Sequence, residues 1–217
     1  MKVRLININN NALEEIYKAY RVCYSKYSYE DIKVPSMNDM VAFICDKIDR
    51  GHFSPLEHIN VTFSIEGCSR VLQQQLTRHR TGKFSIQSQR YVNADNFNFV
   101  TPNIDYMPSD ERNVSEEYFK QLYSLLKDAY DNLIKLGVEE EDARYILPLA
   151  TTGQIIMTMD LRNLRNFLNQ RLCKHAQTEI RELASAMIEL IKPRIPFVDY
   201  KVLNCQKGLC TECYQNK

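Results

Sequence analysis

Arg78, His79 and Arg80 stand side by side, and Ser88, Gln89, Arg90 and Tyr91 follow after a gap of seven residues. From Gly67 to Ala94 there is no acid, although the chain carries 27 acids in 217 residues. The same stretch holds Arg70, Arg78, Arg80, Lys83 and Arg90. Guanidinium forks, hydroxyls and carboxamides at this density suit a phosphate monoester that carries a polar base. Two other readings compete. A solvated basic helix end needs no ligand, because cations are favoured at a helix C-terminus. A nucleic-acid patch would spread its basic residues over a surface with aromatics between them. Here the charge is concentrated, while the whole chain has a net charge of only +1.

A second acid-free window runs from Leu161 to Thr178 and holds Arg162, Arg165, Arg171, Lys174 and His175. Asn163, Asn166 and Asn169 lie among them. Arg162, Asn166 and Asn169 share a helix face by their spacing. Asparagine is a poor residue inside a helix, so this run suggests amides presented to a nucleobase or flavin. An exposed helix face is the plainer reading. His52, Ser54, Glu57 and His58 form a third, weaker cluster. No histidine spacing matches a metalloprotease-type metal site, and no metal is expected. Cys205, Cys210 and Cys213 form a tail whose spacing is not that of a standard zinc finger, so it reads as reduced thiols. Nothing in the sequence sets a base beside a cysteine nucleophile.

These groups need a scaffold, and the totals bound it. A chain of 217 residues, 44% hydrophobic, can bury a core in one domain, with a tail from about residue 200. No apolar run reaches the ~20 residues of a membrane span, and the N-terminus lacks a signal-peptide core, so a cytoplasmic protein is expected. Six glycines, never closer together than fifteen positions, exclude the dinucleotide-binding fingerprint and the P-loop. Any nucleotide must be held by side chains and isolated backbone groups.

The pattern predicts helices over Asn11–Tyr24, capped by Asn11 with Glu14 in the capping-box place, and over Ser36–Arg50, capped by Ser36 and stopped by Gly51. Ile59, Val61, Phe63 and Ile65 alternate with polar residues as a half-buried strand. A helix over Ser69 to Arg80 would put the Arg-His-Arg triplet in its last turn. Phe97–Thr101 reads as a short strand and Ser115–Leu136 as a long helix ended by Gly137. Glu139–Ile146 reads as a short helix, Thr151–Met159 as β-rich, and Arg162–Cys173 and Thr178–Lys192 as helices. The order fits an α+β domain with a mixed or antiparallel sheet and packed helices.

In five separated places the chain resembles the flavin-dependent thymidylate synthases. Residues 19–25, Ala-Tyr-Arg-Val-Cys-Tyr-Ser, look like that family's first-helix segment. Residues 51–58, Gly-His-Phe-Ser-Pro-Leu-Glu-His, look like its histidine loop. Gln75 to Tyr91 carries the signature, and residues 143–148, Ala-Arg-Tyr-Ile-Leu-Pro, look like a phosphate-contact segment. Asp160 to Arg171, followed by His175-Ala176-Gln177, looks like the closing helix.

The resemblance implies reductive methylation of dUMP to dTMP, with methylenetetrahydrofolate as carbon donor, FAD as hydride carrier and NADPH as reductant. It further implies a homotetramer with active sites at its subunit interfaces. By residue, it implies that Gln75, Arg78, Ser88, Gln89, Arg90 and Arg144 hold dUMP. Arg171 would contact the pyrimidine and stabilise its developing negative charge. Ser54, Arg78, His79, Arg80, Asp160, Arg162 and Asn166 would hold FAD, with His52 beside it. Two positions depart from the family pattern: Ile86, where many relatives carry a polar residue, and Asp160, where asparagine is common. Another flavin-dependent nucleotide oxidoreductase is the alternative within enzymes. A basic nucleic-acid-binding module is the alternative outside them.

Overall fold

The computed structural model describes residues 1–92 and 98–202. The Cys205, Cys210 and Cys213 tail and Phe97 lie outside the described residues. Four strands form one antiparallel sheet in the order β1-β2-β4-β3: β1 Lys2–Ile8, β2 Asn60–Ser69, β3 Lys83–Ile86 and β4 Thr152–Asp160. The helices are α1 Ala12–Val22, α2 Met37–Asp49, α3 Arg70–Leu76, α4 Ser109–Lys135, α5 Glu140–Ala143, α6 Leu161–Arg171 and α7 Thr178–Ile191. The fold class is α+β, as the element order predicts.

The contacts divide the chain into two compact units. The first is Met1–Lys2, Ile65–Arg78 and Phe84–Ile156; the second is Val3–Ser64, His79–Lys83 and Met157 onward. Strands β2 and β4 each run from one unit into the other.

Several boundaries follow the local chemistry. The Ser36 hydroxyl accepts from Asp39 N at 3.3 Å and starts α2. Gly51 (φ 78°) and Gly137 (φ 88°) sit in the left-handed region that ends α2 and α4. In β2, Val61, Phe63 and Ile65 are fully buried, as the alternation requires.

Other boundaries differ from the sequence reading. Asn11 makes no side-chain cap. Asn9 ties this corner instead: its amide donates to Glu15 at 2.7 Å, and its carbonyl oxygen accepts from Ala12 N. Glu14 is drawn to Lys18 one turn on, at 3.0 Å, and not back to the cap. Helix α4 starts at Ser109, six residues earlier than expected. Pro108 pre-sets its entry, and Asp110 and Glu111 face the positive end of the dipole. Helix α3 stops at Leu76, and the Thr77 hydroxyl donates to Gln73 O at 2.9 Å. The Arg-His-Arg triplet therefore lies in the following turn, closed by Gly82 N donating to His79 O at 2.9 Å. Strands β1 and β3 were not foreseen.

Candidate active site

In the first unit the basic residues converge. Arg90 pairs with Glu141 at 2.6 Å, and Arg144 Nε donates to the Glu141 carbonyl at 2.9 Å. Burial and the charge of Arg144 together pull the Arg70 guanidinium below its usual range. Arg90 and Arg144 thus meet on Glu141, one at its carboxylate and one at its backbone carbonyl, and Arg70 lies close enough to Arg144 to feel its charge. Holding like charges close costs free energy, and a phosphate dianion would offset it. Ser88 belongs to the same group, its hydroxyl accepting from Arg90 N at 3.1 Å. Gln75 lies on α3, and Arg78 is exposed just past its end.

Gln89 turns elsewhere. It lines a cavity of about 350 Å³ with Arg70, Gln73, Gln74, Thr77 and Ile86, closed by Leu147, Pro148 and Leu149. Its Nε2 is buried there without a hydrogen-bond partner. A buried amide N–H of this kind is a donor waiting for an acceptor. Ile86 forms apolar wall here and offers no side-chain hydrogen bond. Nearby, Gln73 accepts from Arg70 Nη1 at 2.5 Å and lies over Gly153, where a Cβ would come within 2.5 Å of Gln73 Nε2.

In the second unit Arg171, the last residue of α6, donates from Nε to His79 Nε2 at 3.0 Å. The His79 ring stands edge-on to Phe167, with centroids 4.9 Å apart. Burial first, and then the Arg171 charge, pull His79 from the ordinary 6.5 down to about 4. Burial alone pulls Arg171 below the usual guanidinium range, and it keeps its proton.

Arg162, Asn166 and Asn169 line a second cavity of about 350 Å³, with Ile48, Asp49, Phe53, Arg165 and Lys201. The shared helix face expected from their spacing is therefore the wall of a pocket. Arg162 also forms an ion pair with Glu57 from the 3-10 helix Ser54–His58. Ser54 opens that helix and is exposed, as is His52, whose carbonyl accepts from the buried Tyr20 hydroxyl at 2.5 Å. Asp160 caps α6, accepting from Asn163 N at 2.9 Å and from Asn163 Nδ2 at 2.6 Å. An ionised carboxylate does this as well as an asparagine carbonyl would. Arg80 is exposed in the turn after α3.

Sequence reasoning missed Glu141, Arg70, Gln73, Phe53 and the clamp that Arg165 makes by donating to the carbonyls of Phe197, Val198 and Tyr200. Only Arg70 and Arg165 carried a signal, as basic residues in the two acid-free windows. Among the described residues no group of histidine, cysteine or acidic side chains could hold a metal ion.

The second cavity presents carboxamides, a guanidinium and an aromatic ring, a donor set that fits part of a flavin nucleotide. Residues 4–197 match the family model described as thymidylate synthase complementing protein. A flavin-dependent thymidylate synthase of Pyrococcus abyssi is 39% identical over 223 residues, covering 98% of this chain and 90% of the relative. One from Clostridium tetani is 34% identical, covering 98% and 91%. One from Geobacter sulfurreducens is 37% identical, again covering 98% and 91%. With a matching signature, a matching model and relatives aligned over nearly their whole length, the chain belongs to the flavin-dependent thymidylate synthase family.

Proposed function

We propose that the protein methylates dUMP reductively to dTMP, with methylenetetrahydrofolate as carbon donor, FAD as hydride carrier and NADPH as reductant. Within this family, the observation that carries the reading to individual residues is Arg171, a partly desolvated guanidinium held by an uncharged imidazole. The C5 atom of the pyrimidine has to become a carbon nucleophile. A fixed cation at the opposite edge of the ring favours this by stabilising the negative charge that develops there. No cysteine addition to the ring is needed.

Gln75, Arg78, Ser88, Gln89, Arg90 and Arg144 hold dUMP, chiefly its phosphate. The support is the meeting of Arg90 and Arg144 on Glu141, with Arg70 close to Arg144, and the unpartnered Gln89 amide. Ser54, Arg78, His79, Arg80, Asp160, Arg162 and Asn166 hold FAD, with His52 beside it where folate or nicotinamide stacks. Bound there, FAD supplies the hydride that the methylation consumes. The donors of Arg162 and Asn166 would meet acceptors on the cofactor and fix its orientation.

The whole chain acts as one catalytic domain, a reading supported by the strands its two units share. It works as a homotetramer with composite sites. The support is an open ridge on α4, where Val114, Tyr118, Leu122 and Leu125 are exposed at helical spacing. We place it in the cytoplasm, with the rest of nucleotide biosynthesis. No helix among the described residues is long and apolar enough to cross a membrane.

The test is twofold. Purified protein supplied with FAD should show a bound-flavin spectrum. With methylenetetrahydrofolate and NADPH it should then release tritium from C5-labelled dUMP. A colourless protein sinks the enzyme reading. Bound flavin without tritium release leaves a different flavin chemistry on a nucleotide.

Ser88 has no base beside it and accepts from a backbone N–H, so its role is to bind. Ser88→Ala should raise the dUMP KM about tenfold, the worth of one hydrogen bond to a charged group, while most of kcat is kept. Loss of kcat at unchanged dUMP affinity would make the serine a reacting group after all.

A further inference from the structure

Arg171 and His79 meet from elements far apart in the chain, the end of α6 and the turn beyond α3, both within the second unit. The contact has only one sense. A guanidinium Nε carries a proton and can only donate, so His79 Nε2 offers a lone pair and its ring proton sits on Nδ1. The imidazole is therefore neutral whenever the bond exists, which agrees with its lowered proton affinity. The ring has a second anchor in the fully buried Phe167, edge-on at 4.9 Å.

The bond takes Arg171 by Nε and does not involve its two terminal nitrogens, the fork that reads a carbonyl or an ionised ring nitrogen. A loose arginine loses rotamer freedom on being fixed. Fixing it before substrate arrives puts the charge in place without reorganisation during the reaction. We propose that His79 is a positioning residue, its Nε2 holding the Arg171 guanidinium in the orientation that the pyrimidine requires. The proposal rests on the reading of Arg171 given above, and it adds a task to the FAD contact assigned to His79 there.

Two substitutions separate the tasks. His79→Phe keeps a ring against Phe167 and deletes the acceptor. His79→Gln loses the ring but puts an amide oxygen close to the place of Nε2. In FAD-loaded enzyme, His79→Phe should lower kcat about 100-fold, the usual effect of a misplaced reacting group. Most of its flavin should stay bound, because Ser54, Arg78, Arg80, Asp160, Arg162 and Asn166 still hold FAD, and His79→Gln should recover most of the lost kcat. If His79→Phe does not fold, His79→Asn, whose side chain is too short to reach Arg171, takes its place with the same expectation.

Combined with Arg171→Ala, His79→Phe should change the residual turnover less than twofold, because both substitutions remove one device. Wild-type kcat in His79→Phe overturns the proposal. So do equal losses from Phe and Gln, a full additional loss on the Arg171→Ala background, or loss of FAD from both His79 variants. Wild-type turnover in Arg171→Ala would instead sink the reading of Arg171 itself, whereas a dead Arg171→Ala beside an unaffected His79→Phe sinks only the positioning role.

Discussion

Arg171→Ala should lower turnover at least ~10³-fold while FAD stays bound. Removing one neutral donor from a preorganised site commonly costs 10²–10³-fold, and a partly desolvated cation contributes more than a neutral donor. FAD should remain because Ser54, Asp160, Arg162 and Asn166, assigned to it here, are untouched. The rate would be followed by tritium release and the flavin by its absorbance. Arg171→Lys should recover little of the loss. A single ammonium cannot donate to His79 Nε2 from the Nε position and also present a planar fork. Turnover near wild type in Arg171→Ala would mean that the pyrimidine is polarised by another group.

The second large effect falls on stability. Arg165 is a buried guanidinium, 5% exposed. It donates to Phe197 O at 3.1 Å, Val198 O at 2.9 Å and Tyr200 O at 2.6 Å. The segment it holds is also tied at its surface. The Tyr200 hydroxyl donates to Asp49 at 3.0 Å, and Lys201 pairs with Asp49 at 2.7 Å. Those outer contacts are exposed and contribute little. Arg165→Met keeps the packing volume but removes this donor; Phe197 O keeps Tyr200 N at 2.9 Å, while Val198 O and Tyr200 O lose theirs. At about 1–3 kcal/mol for each of these two groups, the loss should reach roughly 2 kcal/mol or more. In a chain of this size that lowers Tm by roughly 4–8 °C. Calorimetry of the apoprotein would show it, and an unchanged Tm would mean that water serves these carbonyls equally well.

These two arginines show what the sequence reveals and what it hides. Both stand in the same acid-free window and look alike in one dimension. The helical period puts Arg162, Asn166 and Asn169 on one face, and the structure makes that face a cavity wall. No periodicity says that Arg165 would close on carbonyls more than thirty residues later, or that Arg171 would find a histidine 92 residues earlier. Elements whose signals are local were legible: the Ser36 cap, the glycines after α2 and α4, the alternation of β2. The misread boundaries were those set by partners elsewhere. Asn11 makes no side-chain cap, and the corner is tied by Asn9, whose side-chain oxygen also accepts from Asn60 N at 3.3 Å. Strand β3 spans only Lys83–Ile86 and has no fully buried residue, so its pattern carries almost no hydrophobic signal. The convergence of Arg90 and Arg144 on Glu141 was likewise invisible, because the acid lies about fifty residues from the window that needs it.

The interleaving of the two units has a consequence for the gene. Residues 60–64 of β2 belong to one unit and 65–69 to the other, and β4 changes hands in the same way after Ile156. No single break in the coding sequence can deliver either half intact. Recombination by exchange of whole modules is closed to such a chain, so its two units have to be inherited, and altered, together.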